Sequence, residues 1–418
     1  MQAGSGTFAN VRVSTAAALI SRFIFHFFPG AQRNTDIFPV RNCIFSTLHW
    51  ALENHDPEIM NAMNAMKSTR FDLLDGLRGI AAIAVMLHHY SQHTGWDWFG
   101  GAWVAVDLFF VLSGFVIAHS YSKKILNGMS FREFAFVRLA RLGPLYLFGL
   151  ALGLCAVLLS IAKTGMPQIS SSQLLSATAL GAFWLPYFND IAWPFGQDVV
   201  YGAAFPLNDP SWSLFFELFV NVVFFAYLAK VRKLPNATVS ILAFVAFIVC
   251  TLVFHKINPG WGAKSFMVGF PRVIAEFFAG VFIFSIGLQH KHPHRLFTAV
   301  VTGAALLAFT IHDPKIAFIN SLTLVPLSVA LLCSVSIDGL GKRICKVLGE
   351  LSYPLYVIHF PIYRLVFESF DVRSLNPVAQ TLIVAAVSIV LALLLARADL
   401  ELRRKLTSFR KPSAAAVS

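Results

Sequence analysis

From residue 71 onward the chain alternates long apolar runs with short polar connections. Windows near 74–92, 103–121, 142–162, 212–230, 237–255, 271–288, 296–312, 316–336, 351–369 and 377–397 are each close to the roughly 20 residues that cross a hydrocarbon core as a helix. An eleventh run, LLSATALGAFWLPYF at 174–188, is shorter and ends in turn-rich sequence. The first 70 residues differ, because their one apolar patch, STAAALISRFIFHFF, is broken by Arg22 and is too short to span. They read as a poorly ordered or interfacial extension, with Met63 or Met66 as an alternative true start. A transmembrane domain over 71–400 and a basic tail over 401–418 follow.

The basic residues arbitrate the eleventh run. Lysine and arginine accumulate in cytoplasmic connections. If 174–188 does not span, every strongly basic connection falls on one side: Lys67 and Arg70; Lys123 to Arg141; Lys230 to Lys233; Lys291 and Arg295; Lys342 to Lys346; and Arg403 to Lys411. If it spans, the later clusters switch face. The pattern therefore predicts an all-α, polytopic membrane helix bundle of about ten transmembrane helices with both termini cytoplasmic. The 174–188 run becomes an external lid or a re-entrant element buried against the bundle.

Composition agrees with that pattern. The chain is 57% hydrophobic and 13% charged, with a mean hydropathy of +0.67, whereas a soluble protein carries about a quarter of its residues charged. The net charge of +12 sits in short clusters flanking apolar runs, which argues against a nucleic-acid partner. The five cysteines are scattered without CxxC spacing, so neither a disulfide framework nor a metal site is indicated. No P-loop or dinucleotide-binding fingerprint occurs.

Polar residues inside the spans carry the chemistry. In LDGLRGIAAIAVMLHHY, residues 74–90, Arg78 and His89 share a helix face about 16 Å apart, with His89 placed deeper toward the middle. An ionisable group at that depth costs roughly 2.5–3.5 kcal/mol, so it faces the bundle interior or a wet cavity. The plainer alternative has Arg78 snorkelling to the interface and the histidine bonding a neighbouring helix. In VDLFFVLSGFVI, Asp107 and Gly114 share a face with Ser113 beside them. In FREFAFVRLARLGPLYLF, Arg138 and Arg141 precede Pro144 and Tyr146; the pair reads as a positive-inside anchor or as a clamp for phosphate, which guanidinium forks suit. PSWSLFFELFVN sets Ser213 and Glu217 one turn apart, the glutamate serving either an arginine or the chemistry. In YPLYVIHFPIY, His359 lies between two prolines and reads as a packing histidine rather than a second base.

Together these stretches resemble the acyltransferase 3 family of integral membrane acyltransferases, which O-acylate polysaccharides, lipopolysaccharide, Nod factors and related glycans. The resemblance rests on FDLLDGLRGIAAIAVMLHHY, on VDLFFVLSGFVI followed by RLARLGPLY, on PSWSLFFE and on LSYPLYVIHFPI, in the family's order. It implies a bacterial inner-membrane O-acyltransferase with acyl-CoA, acetyl-CoA foremost, as donor, a polysaccharide or glycolipid hydroxyl as acceptor, and no metal. His89 matches the family's essential histidine and Arg78 its arginine partner. Arg138 and Arg141 match the basic pair on the acyl-CoA side, with Ser113 and Tyr146 grouped with them, and Glu217 matches the acidic position after the WS pair. His89 then takes the acceptor proton or transiently carries the acyl group, with Asp107 or Glu217 fixing its tautomer. This is the stand-alone form without a soluble SGNH domain, so any glycan-synthesis protein that completes the transfer is a separate chain; membrane lipids surround it. A proton-coupled secondary transporter is the rival reading, although no internal repeat is present. Trp184 and Trp193, in the external region, read either as a sugar platform or as an interfacial belt.

Overall fold

The computed structural model describes residues 71–408, apart from 97, 165–168, 196–197, 234–236 and 291–292. The extension expected over 1–70 and the end of the basic tail lie outside the described residues. Among the described residues twelve principal helices follow one another: α1 (Asp72–Thr94), α2 (Ala105–Leu126), α3 (Phe131–Thr164), α4 (Ser171–Ala182), α5 (Ser211–Val231), α6 (Ala237–Phe254), α7 (Gly269–Ser285), α8 (Arg295–Leu307), α9 (Pro314–Leu322), α10 (Leu324–Leu332), α11 (Gly339–Ser369) and α12 (Pro377–Ser408). Between α4 and α5 a two-stranded antiparallel hairpin, β1 (Ala192–Phe195) and β2 (Asp198–Tyr201), pairs Trp193 with Val200. It is the one sheet among the described residues.

Every window read as a span is helical, but the count needs correcting. Among the described residues, seven segments are long and apolar enough to cross a bilayer: Ala102–Leu126, Phe131–Lys163, Ser211–Val231, Ala237–Phe254, Phe266–His290, Pro314–Leu332 and Pro377–Glu401. The other three fall short for separate reasons. Helix α1 carries two acidic residues in its first turn and Arg78 and three histidines beyond it. Helix α11 opens with Lys342, Arg343 and Lys346, and α8 holds only 13 residues. The window near 316–336 is two helices, α9 and α10, broken at Thr323.

The run at 174–188 does not cross. Helix α4 has 12 residues, opened by a capping box in which Ser170 and Gln173 satisfy each other's backbone N–H, and at about 18 Å it is too short to span. It lies on α3 through a cluster of Leu150, Val157, Ile169, Ala177, Trp193 and Leu207. Trp193 is fully buried in that cluster, its indole N–H donating to Asn189 Oδ1 at 3.0 Å. It is therefore a core residue and not a surface on which a sugar can stack.

Two helix pairs form the centre. Helix α1 packs along α11, and α2 packs along α7. In the second pair a Cβ on Gly114 would overlap the Phe277 carbonyl oxygen, and a Cβ on Gly280 would overlap that of Val111. Only glycine at both positions lets the backbones approach so closely, the small-residue device of membrane helix packing. Helix α11 runs unbroken through Pro354 and Pro361. Pro361 has no N–H to offer the Val357 carbonyl one turn back, and Asn208 Nδ2 supplies the missing donor at 2.9 Å.

Candidate active site

A cavity of about 270 Å³ opens among α1, α2, α3, α5 and α11. Its lining includes Arg78, Arg138 and Arg141, Glu217 and Ser113, and Tyr353, Tyr356 and Ser213, with Phe109, Leu142 and Leu214 as apolar wall. The three arginines, Ser113 and the Ser213–Glu217 pair singled out in the sequence thus converge from four different helices.

Each arginine is held differently. Arg78 donates from Nε to Ser352 Oγ and from Nη2 to the Gly349 carbonyl, both at 2.9 Å, and pairs with Asp75 at 3.1 Å. This ties α1 to the start of α11's apolar half. Arg138 is buried, and its Nη2 meets Glu217 Oε1 at 2.5 Å; Ser113 Oγ donates to the same oxygen at 3.1 Å. The expected fork of Arg138 and Arg141 is therefore split. Arg138 is committed to Glu217, and Arg141 stands at the cavity wall.

The histidine lies elsewhere along α1. His89 is about 25 Å from the start of the helix and about 8 Å from its end, so it sits toward the far end rather than the middle. Its ring stacks on that of His359, centroids 5.3 Å apart at 29°, with Phe360 edge-on at 5.5 Å. His359 is fully buried, as expected of a packing histidine, and what it packs on is His89. Tyr90 fixes its backbone, donating to the His359 carbonyl at 2.8 Å. His88, on the other face, reaches the Phe99 carbonyl through Nδ1 at 2.7 Å and so braces the loop after α1.

Neither carboxylate touches His89. Glu217 is engaged with Arg138 and Ser113. Asp107 Oδ1 accepts from Arg272 Nε at 2.7 Å, and Arg272 also donates from Nη1 to Asn258 Oδ1 at 2.8 Å and the Pro259 carbonyl at 2.7 Å. Glu276 lies 4.0 Å from Arg272 Nε and accepts from Ser321 Oγ at 3.2 Å. Trp103 and Trp212 flank the guanidinium at 5.3 and 5.5 Å. Asp107 is thus a structural partner, and the tautomer-fixing role expected for it or Glu217 finds no geometric support. Tyr146 is also displaced from its expected role: it is absent from the cavity wall, stacks on Trp184 at 4.2 Å and donates to the Gly181 carbonyl. Tyr353 takes the place on the wall, its hydroxyl donating to the Leu142 carbonyl at 2.5 Å.

Sequence reasoning missed Tyr356, Ser352, Arg272 and the pairing of His359 with His89. Arg272 had a visible signal, an arginine and a glutamate four residues apart in an otherwise apolar window.

A family model described as an acyltransferase domain matches residues 71–397. "Protein 2 in picA locus" from Rhizobium radiobacter is 38% identical over 178 residues, 40% of this chain and 87% of that protein. "Acyltransferase MdmB" from Streptomyces mycarofaciens is 27% identical over 287 residues, 62% of this chain and 68% of that one. "Exopolysaccharide production protein ExoZ" from Rhizobium meliloti (strain 1021) is 27% identical over 281 residues, 66% and 80% of the two chains. No solved structure matches the chain.

Proposed function

The chain belongs to the acyltransferase 3 family, whose domain accounts for residues 71–397, and from that premise we propose that it moves an acyl group, acetyl foremost, from acyl-CoA to a hydroxyl of a cell-surface or exported polysaccharide or glycolipid. The observation that carries the reading is the cavity itself: three arginines line it, and so does Tyr356, whose ring lies 5.9 Å from that of His359 beside His89. A thioester donor has the matching polarity, with phosphates at one end and a thin reactive arm at the other. At about 270 Å³ the space is at the low end of small-molecule pockets, which run roughly 300–1,000 Å³. It suits the arm, with the nucleotide left at the mouth beside Arg141 and Arg78. The printed name of the Rhizobium meliloti relative, exopolysaccharide production, supports a glycan as acceptor.

In this reading the transmembrane domain occupies 71–400 and keeps both termini in the cytoplasm, since the basic connections then share one face. The arginine end of the cavity faces the cytoplasm, where acyl-CoA is made, and His89 lies toward the opposite face, where an exported glycan arrives. A hydroxyl is a poor nucleophile, and an imidazole is the side chain suited to take its proton near neutral pH. His89 removes that proton during direct transfer or carries the acyl group between two half-steps. Both routes use the same ring and the same donor channel. Arg138 acts by orienting Glu217 and the cavity wall, and Arg141 and Arg78 meet the donor phosphates.

The donor assignment is tested by truncating the donor. Arg141→Ala is expected to raise KM for acetyl-CoA about ten- to a hundredfold, the effect of one charge-assisted phosphate contact worth roughly 1.5–3 kcal/mol. KM for acetyl-pantetheine, which has no phosphates, should stay within about twofold. Equal losses with both donors would remove Arg141 from phosphate binding.

A further inference from the structure

Helix α2 turns one stripe of side chains toward the cavity. From Gly101 to Leu112 every residue is buried except Phe109, which is partly accessible, and the next three accessible positions are Ser113, Val116 and His119. That spacing is one face of a helix, and all four residues line the cavity. The stripe is about 15 Å long, with an imidazole at one end and a phenyl ring at the other. Contacts across the cavity fix what stands at each level. His119 meets Phe71, at the start of α1, with ring centroids 5.0 Å apart. In the middle, Ser113 and Arg138 share Glu217. Phe109 meets Tyr356 edge-on, centroids 5.3 Å apart at 78°. Arg78 is bonded to Ser352, one turn of α11 before Tyr356, so it stands short of the Phe109 level. Tyr356 in turn neighbours His359, which stacks on His89. The phenyl end is therefore the end nearest the histidine pair.

We infer that Phe109 sets the length of the acyl group that the protein transfers: its ring is the end stop of the donor cavity and restricts transfer to short acyl groups such as acetyl. The inference rests on the transferase reading above and adds the class of donor to it. A donor whose phosphates stay with the arginines points its thioester toward the opposite end, the end from which the histidine pair is reached. Whatever carbon chain the acyl group carries then lies against Phe109. The ring cannot simply turn aside, because its edge-on contact with Tyr356 would be lost. Tyr356 is itself anchored, its hydroxyl 2.5 Å from Ser213 Oγ and 3.1 Å from the Pro210 carbonyl. A methyl group fits beside such a wall, whereas each further methylene needs room that a close-packed interior does not offer. Replacing the phenyl ring by a methyl group opens that room at the one place where a longer chain would use it.

Membranes carrying the full-length chain at matched levels test this when supplied with acetyl-, butyryl- or octanoyl-CoA labelled in the acyl group, with label transfer to membrane glycans as the readout. Wild type is expected to favour acetyl over butyryl by at least about tenfold in kcat/KM, since one methylene too many in a fitted pocket costs roughly 10- to 200-fold. Phe109→Ala should raise the butyryl-to-acetyl ratio by about tenfold or more and admit octanoyl. Phe109→Leu should shift the ratio the same way by less, and it decides if Phe109→Ala does not accumulate folded. Val116→Ala enlarges the same stripe two turns away and, whatever it does to the rate, should leave the ratio within about twofold of wild type. A wild type that uses octanoyl-CoA as readily as acetyl-CoA, an unchanged ratio in the folded Phe109 variant, or an equal shift in Val116→Ala overturns the assignment. A wild type that transfers none of the three labels would sink the transferase reading and the end stop together, whereas a transferring wild type with an unchanged ratio in the variants would sink the end stop alone.

Discussion

Among single residues, Arg272 and Asp107 show how a charge in a membrane helix can look functional and be structural. The guanidinium is completely buried, contacts Asp107, approaches Glu276 and is flanked by two tryptophans. Removing one partner of a buried pair leaves an uncompensated charge and costs about 3–5 kcal/mol, whereas replacing all partners by apolar groups is often neutral. Arg272→Met alone should therefore lower the unfolding temperature of the detergent-solubilised protein steeply. The triple change Arg272→Met, Asp107→Leu, Glu276→Gln should recover most of that loss and retain acyl transfer per folded molecule. A well-folded triple variant without activity would return Asp107 to the chemistry. The sequence displayed Asp107 clearly but could not display its partner, which lies 165 residues away. His359 was hidden in the same way. The sequence placed it between two prolines, and only the meeting of α1 with α11 sets its ring on that of His89.

The close approach of α2 and α7 decides where the cavity wall stands. Gly114 and Gly280 leave no room for a side chain, and Ser113, next to Gly114, lines the cavity. Gly114→Val is expected to force the helices apart, at about 1–3 kcal/mol for overpacking. It should also raise KM for acyl-CoA by moving Ser113 and its bond to Glu217. Unfolding temperature and KM measured on the same preparation check this, and a variant with both unchanged would mean that the helices do not meet as described. Helix identity was legible from hydropathy at all ten windows because spanning length is a strong signal. The break at Thr323 and the hairpin at 192–201 were not, since both depend on contacts that a window average does not register.

Across the whole molecule, the family motifs were legible as a set because they are short, ordered and unlike ordinary spanning sequence. Their division of labour was not. The structure separates them into a cavity bearing Arg78, Arg138, Arg141 and Glu217, and a histidine pair toward the far end of α1. That separation fits a transferase whose donor and acceptor come from opposite faces of a membrane, and it gives the two neighbouring histidines of α1 different tasks. His89 faces His359, whereas His88 braces the loop through the Phe99 carbonyl. The most direct measurement is label transfer from radiolabelled acetyl-CoA in membranes carrying wild type, His89→Ala or His88→Ala at matched levels. His89→Ala should lose transfer by about a hundredfold or more, the scale of a general acid–base residue, while His88→Ala keeps most of it. Equal activity in all three would contradict a catalytic His89 and, with it, the assignment of the active site.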